Sequence, residues 1–139
     1  MCIRDSIKET GLYTINHIHE PFIEQAHYTS AKFDRSESEF DHCGFTVETI
    51  KNFNAPFVEE SQIKIGLSFV EEIPIELNGT RLIIGTVEHL FVPDESVNEE
   101  GQIDLSLSQN VGISGLNSYY AVKHLDSFPY ARKEDLPEF

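Results

Sequence analysis

Hydrophobic and polar positions alternate most clearly in the middle of the chain. From Gln62 to Glu71, Ile63, Ile65, Leu67 and Phe69 interleave with Lys64, Gly66 and Ser68, the period-two pattern of a strand buried on one face. Ile73–Leu77 and Thr80–Val92 continue the pattern on either side of Asn78-Gly79, a dipeptide that favours a tight hairpin turn. Gly85 inside the second of these runs predicts a bulge or a bend. A charged loop over Pro93–Gly101 and a further strand at Ile103–Leu107 follow, and the tail from Val111 carries small turns and the pair Tyr119-Tyr120. The last stretch, with Phe128-Pro129-Tyr130-Ala131-Arg132, is expected to lie over the surface.

The first third is more mixed. Ser6–Gly11 reads as the end of a helix stopped by glycine, and Leu12–Ile18 as a strand. Pro21 suits a first helical turn, and Phe22, Ile23, Ala26 and Ser30 share a helix face through Ala31. Ser36 with Glu39 three residues later forms a capping box for a helix over 37–43, closed by Gly44. Residues 45–60 look irregular, with a strand at Phe45–Glu48 and a turn at Asn54-Ala55-Pro56. Antiparallel strands with short inserted helices predict a mainly β or α+β barrel, not alternating βαβ units.

Composition narrows the partners. The 139 residues fit one domain, and a 40% hydrophobic content with ten Phe and five Tyr is that of a globular chain. No apolar run approaches the roughly 20 residues a membrane helix needs. Two cysteines, Cys2 and Cys43, make no metal-type pair, which predicts a reducing, cytoplasmic setting. A formal net charge of −14 repels phosphate backbones, so nucleic acid is not an expected partner.

Three groups of residues could carry chemistry. His17 and His19 alternate on one strand and, with Glu24, fit G-x5-H-x-H-x4-E, a pattern similar to the first metal motif of the cupin barrels. Ala31 stands where that motif has Gly, and no second motif follows; the metal reading is kept as an alternative. His42-Cys43 are neighbours on a helix and so point apart, and Cys43 reads as a small buried hydrophobe. Tyr28–Arg35 gathers two hydroxyls, two cations and two aromatics, a set suited to a phosphate or a carbonyl-rich ring, or to a solvated loop.

Taken in order, these features resemble the flavin reductase-like family, the FMN-binding split barrels that include the flavoredoxins. The resemblance rests on Ile7–Asn16, on Thr29–Phe33 with Glu39-Phe40 and Gly44-Phe45, on the strand at 62–71, on Ile83–Val87, on the Asp94–Gly101 loop and on Gly115–Tyr120. It implies a Greek-key antiparallel barrel with short inserted helices, and a homodimer holding FMN at its interface. It further implies hydride transfer from NAD(P)H to the flavin by ring stacking, with positioning carrying the rate. A non-catalytic flavin-binding or electron-carrier role is the nearest alternative. By the same resemblance Asn16, Thr29, Ser30, Ala31 and Lys32 lie near FMN, Lys32 facing the phosphate or ring carbonyls, and Tyr120 lines the nicotinamide side. Family members begin with further strands, so residues 7–139 are expected to be the later part of the domain, missing its first strands. Met1–Ser6 is expected to be a non-native start resembling translated adapter sequence.

Overall fold

The computed structural model describes residues 3–34 and 36–138, so the predicted roles of Cys2 and Arg35 lie outside the described residues. Helix α1 (Ile3–Thr10) ends at Gly11, whose φ of +69° is the left-handed conformation that stops helices. Strand β1 (Leu12–Asn16) follows, and a 3-10 turn at Glu20–Phe22 leads into α2 (Ile23–Tyr28). The predicted helix to Ala31 is shorter because the chain turns at Thr29 and Ser30, whose hydroxyls donate back to the carbonyls of Ala26 (2.7 Å) and His27 (2.7 Å). Helix α3 (Glu39–Cys43) also differs from expectation: its cap is Ser38, not Ser36, with Oγ accepting from the Asp41 amide. Gly44, at φ +70°, closes it as predicted.

Strands β2 (Val47–Ile50) and β3 (Phe53–Val58) form a hairpin where the sequence reads as irregular. Asn52, at φ +66°, makes the turn, and Asn54-Ala55-Pro56 is strand, not turn. Phe53, Ala55 and Phe57 are the buried face of β3 and form the core cluster, with Leu12 and Ile50 packed against it. Full burial of Phe57 contributes on the order of 2–3 kcal/mol.

The main sheet is antiparallel, in the order β1-β4-β5, from β4 (Lys64–Ile75) and β5 (Thr80–Phe91). The predicted strands at 62–71 and 73–77 are thus one long strand, and Asn78-Gly79 makes its turn into β5. Two bulges interrupt the β4–β5 register, one at Val70 and one at Glu88. Gly85 sits opposite Phe69 beside the first, and it is glycine for space. A Cβ there would lie 2.3 Å from the Tyr13 hydroxyl and 2.9 Å from the Ser68 carbonyl oxygen. Lys8 of α1 and Arg81 of β5 both pair with Glu72 of β4, tying the helix to the sheet.

A further hairpin, β6 (Val111–Ser114) and β7 (Ser118–Ala121), follows Asn110. The strand expected at Ile103–Leu107 is absent: Asp104 accepts from the backbone and hydroxyl of Ser106 and bends the chain into turns, leaving one bridge, Val97 to Ile103. The architecture is mainly β with antiparallel pairing throughout and short helices between strands, as expected. Among the described residues no helix is long and apolar enough to cross a membrane.

Candidate functional site

A cavity of about 700 Å³ opens between β1, β3, α2 and α3. Its walls are built by strand and helix periodicity. Leu12, Thr14 and Asn16 alternate along one face of β1, Asn54, Pro56 and Val58 along β3, and Ala26 of α2 is joined by Phe22 and Thr29 from the two ends of that helix. Phe40 and Phe45 close the α3 side. The volume and the apolar walls with a few polar groups are those of a small-molecule site, typically ~300–1,000 Å³.

The seam between β1 and β3 is made by side chains. The Asn16 Oδ1 accepts from the Val58 amide at 3.0 Å, its Nδ2 donates to Thr14 Oγ1 at 3.0 Å, and the Thr14 hydroxyl donates to the Pro56 carbonyl at 2.7 Å. Asn16 therefore lines the cavity with one amide hydrogen to spare. Thr29 also lines it. Because its hydroxyl donates backward to Ala26, it offers lone pairs and not a proton. Ser30, Ala31 and Lys32 follow on the exposed turn beyond the cavity wall, and the Ser30 hydroxyl is likewise spent on His27. Tyr120 is elsewhere, 58% exposed on β7 opposite Gly112. Its neighbour Tyr119 reaches α2 instead, with its hydroxyl 3.1 Å from His27 Nδ1. Of the six predicted residues, the structure thus brings Asn16 and Thr29 into one cavity. It also adds Thr14, which the alternation with Asn16 along β1 marks out in the sequence.

The two histidines are placed differently. His17 lines the cavity, and its Nδ1 lies 2.9 Å from the Asn110 Oδ1. His19 is 1% exposed: the Gln62 amide donates to its Nε2 at 3.0 Å, so its Nδ1 carries the proton and donates to the Ser108 carbonyl at 2.6 Å. Neither nitrogen of His19 is left for a metal. Glu24 faces a different pocket, with His27 and Tyr119. Among the described residues no group of three His, Cys, Asp or Glu side chains is placed to hold an ion, so the cupin-like reading fails on geometry. Cys43 is buried, and burial, then the charge of Glu39, pushes its thiol up. His42 stacks on Phe33 and pairs with Glu37 at 3.3 Å, away from any role as a base for Cys43.

The family model described as flavin reductase like domain matches residues 3–109. A split barrel domain protein from Shewanella frigidimarina NCIMB 400 is 44% identical, with a TM-score of 0.89 over 92% of this chain and 65% of that one. The flavoredoxin of Desulfovibrio vulgaris (Miyazaki F) is 23% identical, with a TM-score of 0.79 over 94% of this chain and 69% of its own. An FMN-binding domain of a flavin reductases-like enzyme from Shewanella baltica OS155 shares the fold at 16% identity, with a TM-score of 0.67 over 93% of this chain and 69% of that one. No curated protein matches the chain.

Proposed function

The chain belongs to the flavin reductase like domain family, and we propose that it binds FMN in the cavity between β1, β3, α2 and α3 and passes hydride from NAD(P)H to it, as a homodimer. The observation that carries this reading is the cavity itself, about 700 Å³, apolar-walled and lined by Asn16 and Thr29. The FMN-binding description of the Shewanella baltica neighbour supports the choice of flavin. The chain spans 65% of the Shewanella frigidimarina protein's length, and the activity proposed is that of the domain as a whole.

The residues present fit a flavin. Leu12, Phe22, Phe40 and Phe45 supply apolar cover for a ring face and keep water from it. The spare amide hydrogen of Asn16 suits a ring carbonyl, and the Thr29 lone pairs suit a ring or ribityl N–H or O–H. Lys32, exposed on the turn just after Thr29, supplies a cation for the phosphate, which a chain of net charge −14 must otherwise repel. When bound, the flavin supplies the hydride-accepting ring, so the chain's part is to position two rings and exclude water.

Titrating the protein with FMN and following flavin fluorescence tests the reading. One saturable site per chain is expected, with affinity reduced about tenfold in Asn16→Leu, the scale of one lost hydrogen bond. Loss of reduced nicotinamide in the presence of FMN is the second expected result. Binding without that consumption favours the electron-carrier role, and absence of saturable binding sinks the flavin site.

A further inference from the structure

The hydrogen bonds behind the cavity wall run in one direction, and they end on His17. A backbone carbonyl accepts and never donates, so in the contact between Ser108 Oγ and the Leu105 carbonyl, at 3.4 Å, the hydroxyl is the donor. That hydroxyl in turn accepts from Asn110 Nδ2. The other end of the amide, Oδ1, is thereby turned toward His17, 2.9 Å from its Nδ1. An amide oxygen only accepts. Nδ1 of His17 therefore carries the proton, and the neutral ring keeps a bare lone pair on Nε2.

The relay is buried and pinned. Asn110 and Ser108 are 4% and 0% exposed, and the backbone amide of Asn110 donates to the Leu105 carbonyl at 3.1 Å. The main chain of His17 is held as well: its N–H donates to the Ile63 carbonyl at 3.0 Å, and its carbonyl accepts from the Ser61 hydroxyl at 2.8 Å. His17 lines the same cavity as Asn16. Its Nε2 has no hydrogen-bond partner among the described residues, and no metal-ligand group forms there. The ring thus brings to the cavity an acceptor whose tautomer is fixed from behind.

We propose that His17 is a specificity-determining residue of this site, its Nε2 accepting the hydrogen bond of the flavin's imide N–H, the N3–H between the two ring carbonyls. The inference rests on the flavin reading above and adds the group that tells a flavin's pyrimidine edge from other flat rings of similar size. Chemistry selects the position: N3–H is the sole N–H on the oxidised flavin ring, and an acceptor can read nothing else on that edge. The spare amide hydrogen of Asn16 suits a carbonyl beside it, so consecutive residues at the end of β1 offer a donor and an acceptor to a carbonyl–N–H edge. A site built this way rejects an analogue without the N–H, because the lone pair is then left unpaired.

Fluorescence titration of the full chain with FMN and with 3-methyl-FMN, in which a methyl group replaces the N3 hydrogen, tests the assignment. Wild type is expected to bind FMN at least about tenfold more tightly than the analogue, the scale of one hydrogen bond. His17→Leu is expected to lose about tenfold for FMN and to bind the two flavins within about twofold of each other. His17→Gln, whose side-chain carbonyl also accepts, is expected to restore part of the preference. An equal loss for both flavins in His17→Leu overturns the proposal and leaves the flavin site standing, whereas absence of saturable FMN binding to wild type overturns both. A further readout needs no flavin. Nitrogen NMR of histidine-labelled protein in mildly alkaline buffer is expected to show His17 protonated at Nδ1 and bare at Nε2, and the opposite tautomer overturns the acceptor role.

Discussion

His19 shows how much one side chain can specify. Its two ring nitrogens bond the Gln62 amide and the Ser108 carbonyl, segments 43 and 89 residues away in sequence. Protonation would require Nε2 to release Gln62. Burial lowers the pKa of His19, the Ser108 carbonyl opposes that, and the neighbouring His17 adds to it. A histidine whose folded-state pKa lies below the usual ~6.5 contributes its full stability above that pH. The contribution declines as pH falls below it and is lost on passing the folded-state value. Denaturant midpoints for wild type and His19→Asn, measured between about pH 7.5 and 5, are expected to show a shallower acid-side decline in the variant. Equal slopes would mean that His19 is not the titrating group. The pair His17 and His19 was legible in the sequence as an alternation, but its meaning was not. Spacing suggests a ligand set, and only the distant partners Gln62, Ser108 and Asn110 reveal that both nitrogens of His19 and the Nδ1 of His17 are already bonded.

Among the elements, the long β4–β5 hairpin was legible because two independent signals coincide, a period of two and an Asn-Gly turn. The β2–β3 hairpin was not. Its turn depends on a non-glycine residue, Asn52, at positive φ, and Pro56 inside a strand argues against strand. Pro56 is tolerated because its carbonyl is met by the Thr14 hydroxyl and β1 does not need its missing N–H. At 103–107 the reverse holds: Ile103, Leu105 and Leu107 alternate, yet Asp104 and Ser106 bond locally and turns win. The candidate cavity was half legible for the same reason. Asn16 sits on a strand and Thr29 caps a helix, so the faces they join can be counted, whereas Ser30, Ala31 and Lys32 follow on a turn whose course the sequence leaves open. The Asn16–Val58 bond belongs at this scale. Asn16→Ala is expected to cost about 1–3 kcal/mol, because the Val58 amide loses its acceptor at a partly buried seam. Hydrogen exchange should quicken first at Val58; exchange unchanged there would show that water replaces the side chain at no cost.

On the scale of the whole molecule, the three sheets formed by the described residues are joined by main-chain links outside their ladders. His19 bridges to Asn110, and the Val111 amide bonds the Ile18 carbonyl, which ties the β6–β7 hairpin to the end of β1. A net charge of −14 spread over this assembly works against compactness, and added sodium chloride screens it. The thermal midpoint is therefore expected to rise between about 20 and 200 mM salt; a flat response would mean that the repulsion is already relieved locally. The seam between β1 and β3 has a different kind of consequence. Main-chain ladders are indifferent to which amino acids they join, so mutation leaves them largely intact. Here the closure beside the cavity is written in Thr14 and Asn16. Descendants of this gene can thus widen or narrow that aperture by exchanging one codon at a time, while the strands on either side keep their paths.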